Sequence, residues 1–408
     1  MIKKLLSKNN FIKKVVKNIY EFTGNIFSNR KSTIDNLEKI SDENQERLFG
    51  YYDKSPWNCK MDKFLYMETK GLSKKSFLSN DSKILVKKLN DNTVDIVDTI
   101  NVCNSQQGSM LQWLGPKFTD EIIYNDVNDG KLISKITNVE TGSQVNLSLP
   151  IYTVSPLGDK AATLNFEKLH KLREGYGYNV STNWDDSIAI KILSLTNNKV
   201  EDEITYENIV NLSNFKLEDN QKHKVNHIMF SPSGEKIMFI YRILGKNLKY
   251  DQLFVYNLKK KTLSNVLDTG MVSHCNWIND DEIVSYAKHK TEGNNLLKII
   301  VDSKESSVIT RYFNNKDGHP SVSPNGKYII MDSYPNFFRK QKLYLIEYNN
   351  PNNITEIASL FSNYKYRGVN RCDLHPRWSP DSNKICVDAS FEKFRDVYLI
   401  DLESFYDK

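Results

Sequence analysis

Four of the chain's seven histidines, His227, His274, His319 and His375, occupy one position of a repeated sequence. Three stand four residues before a Ser-Pro pair, in HIMFSPSGEKIMFIY, HPSVSPNGKYIIMD and HPRWSPDSNKICVD. The fourth, HCNWINDDEIVSY, keeps the spacing but carries Ile278-Asn279 instead. Imidazole is a common ligand for divalent transition metals and the side chain that titrates nearest neutral pH. Four of them in one register point to a metal site, a proton-transfer site or both; the plainer reading is that each bonds a neighbouring backbone. Their intervals of 47, 45 and 56 residues are each about one propeller blade. Equivalent positions of successive blades are neighbours around a central axis, so the four are expected to face one small volume.

Other candidate groups sit at corresponding ends of the repeats. In GVNRCDLHP an extended strand puts Asp373 and His375 on the same side, with Asn370 reaching in from the preceding loop. Mixed nitrogen and oxygen donors of this kind suit Mn²⁺, Zn²⁺ or a similar ion. Arg367 and Arg371 are nearby cations, able to clamp an acidic substrate or to serve as ordinary surface charge. LNFEKLHKLREGYGYN, in the third repeat, offers Arg173, Tyr176 and Tyr178, a combination suited to sugars because rings stack on sugar CH faces and Arg pairs with a carboxylate. By register alone, QQGSMLQWL adds Gln107, and FGYYDKSPW adds Tyr51, Tyr52 and Asp53.

The elements that must position these groups are strands. Each repeat has a short apolar strand, a Ser-Pro-x-Gly/Ser turn, a second strand such as KIMFIY, and a third such as QLFVYNL. Seven units are countable, with inner strands expected near 51–55, 110–114, 151–155, 227–231, 274–278, 319–323 and 375–379. One sheet of three or four strands cannot cover both its faces, whereas blades packed around a ring can. The expected fold is an all-β seven-bladed β-propeller over 47–408, preceded by a basic amphipathic helix at 1–27 and a linker at 28–46. The last unit runs out after its third strand, so an outer strand is expected from residues before Tyr51.

Charge is unevenly placed. The net +6 comes from residues 1–31, where eight Lys and Arg face the single acid Glu21; the remainder is near neutral, and no basic nucleic-acid-binding face is indicated. In the N-terminal stretch Ile12, Val15, Val16, Ile19, Phe22 and Ile26 share one helical face while Lys13, Lys14 and Lys17 fall mostly off it. That pattern fits a helix lying on an anionic membrane surface or one packing on a protein. Five widely spaced cysteines without a CxxC pair, and no signal-peptide pattern, point to a cytoplasmic protein, peripheral on the inner membrane face if the helix binds lipid.

On the ordered histidines, the HPxxSP strands, FGYYDKSPW, QQGSMLQWL and LREGYGY, the chain resembles the oligogalacturonate lyases and the related WD40-like propellers of polysaccharide gene clusters, over residues ~47–405. The resemblance implies β-elimination in a uronic-acid glycan. By position the base looks like His274, the lone metal histidine like His319, and the rest of a Mn²⁺-type site like Asn370, Asp373 and His375; Asn and Asp stand where the family has Gln and His. The resemblance gives His227 no role; as a ligand or acid/base candidate it joins Arg173 to complete the catalytic candidates, and Tyr51, Tyr52, Gln107, Tyr176, Tyr178 and Arg371 are the substrate-binding ones. The expected partner is an acidic polysaccharide or oligosaccharide. The alternative is a non-catalytic propeller that binds a glycan or a protein in envelope-polysaccharide biosynthesis.

Overall fold

A computed structural model describes residues 10–34, 36–41, 45–72 and 82–406. The β-branched and aromatic runs form seven antiparallel sheets, six of four strands and one of five. They follow one another along the chain as the blades of a seven-bladed β-propeller. Their inner strands are Glu46–Leu48, Gln112–Trp113, Thr153–Val154, Lys222–Phe230, Val272–Trp277, Pro320–Val322 and Arg377–Trp378. Six fall where the repeat places them. In blade one the inner strand comes earlier than 51–55, because Tyr52–Lys54 turn inward as an irregular segment.

The Ser-Pro motif works as a turn with one left-handed residue. The amide of Gly234 donates to Ser231 O and that of Gly326 to Ser323 O, with φ of 77° and 70°. Blade seven makes the same turn with Ser382 at φ 67°. Apolar side chains of adjacent sheets then interlock: Met229, Met238 and Leu253 of blade four pack with Cys275, Trp277 and Leu297 of blade five. A tryptophan three residues past the register position repeats through the ring. Trp113, Trp277 and Trp378 donate Nε1–H to Pro56 O, Met229 O and Ser321 O of the preceding blade, at 2.8, 3.2 and 3.0 Å. The hydrophobic interface between blades thus carries a polar pin that fixes its register.

Ring closure differs from the expected linker. Leu37–Lys39 pairs with Asp396–Asp401 and supplies the outer strand of blade seven, while Thr33–Ile34 adds a fifth strand to blade six. The reason is edge satisfaction: the last strands of both blades would otherwise expose unpaired backbone. Buried charge fastens the seam. Arg47 of blade one lies 3.2 Å from Asp396 of blade seven, both about 1% exposed, and its amide donates to Arg395 O. Arg377 and Arg395 share Asp388 at 2.9 and 2.7 Å, and Arg377 also donates to Tyr51 O.

The basic amphipathic segment is a helix over Asn10–Ile26. Residues 1–9 and the side chains of 10–14, including Ile12, Lys13 and Lys14, lie outside the described residues. The helix rests on the propeller through Gly24, which meets the backbone of Phe337 too closely for any Cβ, and through a Tyr20–Phe337 ring contact. Val15, Val16, Ile19, Phe22 and Ile26 remain exposed. Among the described residues no helix is long and apolar enough to cross a membrane.

Removing one partner of a fully buried ion pair strands the other, at a cost of roughly 3–5 kcal/mol. Arg47→Met is expected to lower unfolding stability by about that much in urea titrations. Lys88→Met, which breaks the exposed and solvent-screened Lys88–Asp95 pair, should leave the unfolding midpoint nearly unchanged.

Candidate functional site

The register histidines do converge. Ring centroids are 5.4 Å apart for His227–His274, 4.0 Å for His274–His319 and 4.4 Å for His319–His375, and all four side chains are buried. The backbone has to distort to aim them. His227 and His375 adopt left-handed φ values of 55° and 46°, as does Met110 at 59° at the equivalent place in blade two. At His227 the strand pairing slips between Asn226 and Met229, a bulge that turns the side chain toward the axis. Left-handed backbone costs a non-glycine residue energy, and such strain collects at functional positions.

Second contacts fix the ring tautomers. Asp332 accepts from His319 Nδ1 at 2.9 Å and from the amides of His319 and His375 at 2.8 and 3.1 Å. His375 Nδ1 donates to Gly50 O at 3.0 Å. Both rings therefore turn a lone-pair Nε2 the other way, and those two nitrogens, with Asp373 Oδ1, are buried without a hydrogen-bond partner. His319, Asp373 and His375 bring ligand atoms within 4.8 Å of one another. Three orphaned donors on three convergent residues fit a divalent cation, since buried polar atoms are otherwise paired. Asn370 is buried at the end of the 3₁₀ turn Gly368–Asn370, just before them. Beside the trio, His274 Nδ1 is held by Gly318 O at 3.1 Å and by Asp317 at 3.3 Å, leaving Nε2 as its lone-pair nitrogen. Tyr51 OH is 2.8 Å from His227 Nδ1.

The remaining candidates divide. Tyr176 receives a hydrogen bond from Arg371 Nη2 at 3.0 Å, and the Arg173 guanidinium lies 5.5 Å from its ring centre. Arg371 Nε also grips Asp373 Oδ2 at 2.7 Å. Gln107 Nε2 donates to Tyr152 OH at 2.7 Å, and its Oε1 is buried without a partner. Tyr52 and Tyr178 differ from the expectation that they touch substrate. Tyr52 spans the axis and exchanges hydrogen bonds with the Cys275 backbone, at 2.8 and 3.0 Å. Tyr178 stacks on Phe166 and donates to Gly108 O, inside the core. Neither has a ring face to offer. Asp332 and Asp317 were not singled out in the sequence, although Asp332 closes the apolar strand YIIMD, an acid where a fifth core residue is expected.

Charge is rationed by burial. Desolvation, then His319, pushes His274 down to about 4 against the pull of Asp317. Burial likewise drives His227 and His375 well below their ordinary range. In His319 burial acts the same way, but Asp332 more than reverses it and the ring is raised. The cluster thus holds three neutral imidazoles, as a base requires, beside His319, whose proton a bound cation would have to displace.

No protein-family model matches the sequence, and no curated protein matches it. In structure the chain is similar to oligogalacturonate lyase from Vibrio parahaemolyticus, with a TM-score of 0.63 at 10% identity over 92% of this chain and 97% of that one. It is similar in the same way to an oligogalacturonate lyase in complex with manganese, at 0.62 and 13% over 92% and 99%. A prolyl endopeptidase matches at 0.53 and 9%, covering 88% of this chain and 48% of that one. The shared property is the propeller fold, which hosts unlike chemistries.

A histidine whose folded pKa lies below its unfolded value of 6.5 costs stability as pH falls toward the folded pKa, because the unfolded chain takes up the proton first. Three of the four imidazoles act in this direction, and His319 acts in the other. The metal-free protein is therefore expected to lose unfolding stability progressively from about pH 6.5 toward pH 4. His274→Asn should flatten that dependence in thermal melts; an unchanged slope would contradict the assignment.

Proposed function

We propose that this propeller is a lyase that cleaves a uronic-acid-containing glycan by metal-assisted β-elimination. The observation that carries the reading is the set of unpartnered ligand atoms on His319, His375 and Asp373 beside a neutral His274. Held by these three with Asn370 alongside, a divalent cation such as Mn²⁺ would supply Lewis acidity toward the substrate carboxylate. His274 Nε2 removes the proton α to that carboxylate, and the C–H electron pair becomes the ring double bond. The bond to the leaving oxygen breaks, and that oxygen takes a proton from Tyr51, which His227 backs at 2.8 Å. Arg173, over Tyr176, orients the acidic sugar at the mouth.

A second reading is a propeller that binds acidic glycan without cleaving it. The Arg371–Asp373 ion pair favours it, since a guanidinium at 2.7 Å competes with a cation for the same carboxylate. The two readings separate on a panel of uronate polymers supplied with Mn²⁺. Lyase action gives a rise in ultraviolet absorbance from the unsaturated product, and His274→Ala lowers the rate by roughly 10²–10⁴-fold. Elemental analysis should find a divalent metal in the purified protein and lose it in His319→Ala. Silence across the panel from a metal-free protein leaves the binding reading.

We also infer that the N-terminal helix holds the propeller on an anionic membrane surface, at the cytoplasmic face. At about 3.6 residues per turn, Gly24 falls opposite Ile19 and Ile26, so the helix docks by one side and turns its apolar side away. The lysines in residues 1–31 complement anionic lipid, and the free cysteines fit a reducing compartment. The full chain is expected to float with anionic vesicles and to do so weakly as Ile19→Asp. Equal flotation of a chain lacking residues 1–27 overturns this.

A further inference from the structure

Blade four carries a second concentration of charge beside the histidines. Lys224 stands three residues before His227 on the inner strand and is 3% exposed. Among the described residues no carboxylate lies within ion-pair distance of its ammonium, and no hydrogen bond holds it. Its cross-strand neighbour is Arg242, whose own neighbour on the third strand is Asp251. That carboxylate, fully buried, is already shared between Lys249 at 3.0 Å and Arg242 at 3.8 Å. Arg242 extends to Val272 O and Ser273 O, the residues leading into His274. Arg173, exposed after the blade-three helix, adds its charge to the same field. Burial first, then Arg242, Arg173 and Lys249, push the Lys224 ammonium down to about 6, with Asp251 alone opposing. Arg242 and Lys224 in turn depress His227, so the cationic group and the imidazoles share one field.

A largely buried ammonium with no carboxylate of its own, beside an arginine and a lysine that already share one, is an arrangement that folding alone does not favour. An arriving anion would supply the missing partner. We propose that Lys224 and Arg242 form an anion subsite that receives a second acidic group of the same glycan chain. This rests on the reading of the histidine site as one for acidic sugar. The glycan then runs from the His319–Asp373–His375 trio at blades six and seven toward blade four. Binding draws a proton onto Lys224, so affinity is expected to rise as pH falls from 7 toward 5.

The test reads Lys224 directly. The full chain is treated with an amine-reactive acylating reagent, and Lys224 modification is quantified by mass spectrometry. Digalacturonate is expected to protect Lys224 several-fold, more at pH 6 than at pH 7.5, while galacturonate at the same concentration does not. Lys224→Met should raise KM for polygalacturonate on the order of tenfold with kcat little changed. Lys224→Arg should recover most of that loss. Lys224→Met is also expected to unfold at higher denaturant below pH 6, where the wild-type side chain must carry an unpaired buried charge; this shows that the kinetic loss is not misfolding. Protection by digalacturonate without turnover supports the subsite and counts against the lyase reading. Turnover with Lys224 unprotected, equal protection by the monosaccharide, or an unchanged KM in Lys224→Met overturns the subsite.

Discussion

Closing the ring is the constraint on which everything else in this molecule depends. Seven sheets cover one another's faces only if the last meets the first, and that seam is where the chain concentrates its buried charge. Arg47, Arg377 and Arg395 are among its largest fully buried side chains. Asp388 and Asp396 hold them, and each arginine also reaches across the seam or into a neighbouring loop: Arg377 to the backbone of Tyr51, Arg395 to Ser105 O. A purely apolar seam would stabilise closure as well per unit area, but it would permit slippage. Directional ion pairs fix which strand meets which. The residues aligned by this seam include Gly50, which orients His375, and Tyr51, which meets His227.

The four imidazoles show how a repeat becomes a site. Equal register brings them together, yet identical geometry in each blade would give a ring of equivalent groups. Instead each is differentiated by one contact. Asp332 holds His319 Nδ1, Gly50 O fixes the His375 tautomer, Asp317 and Gly318 hold His274, and Tyr51 meets His227. Asp332 and Asp388 sit at the same distance behind their blades' histidines, at the end of the second strand. In blade six that acid serves the site; in blade seven it serves the seam through Arg377. One sequence position thus does two jobs because the blade next to it differs.

Fold and convergence were legible because they rest on period. The spacing of histidines and Ser-Pro turns is a property of sequence that no tertiary contact has to supply, and six of seven inner strands lie where it puts them. The closing strands were not legible: Thr33–Ile34 and Leu37–Lys39 are too short and polar to show alternation, and their strand character comes from the edges they cover. Tyr52 and Tyr178 look from sequence like sugar platforms, because composition does not reveal whether a ring faces solvent or core. Lys224 and Arg242 are ordinary strand cations until pairing sets them side by side. The left-handed backbone at His227 and His375 leaves no mark in residue type at all.

Tyr52 has a consequence for traffic. By bonding the Cys275 backbone from the opposite side of the ring, it stoppers the axis beneath the histidines with a fully buried phenol. The axis is closed at that ring. Nothing can thread the middle of the ring past it, so the two ends of the axis are separate surfaces, and what reaches the histidines cannot come from the far end.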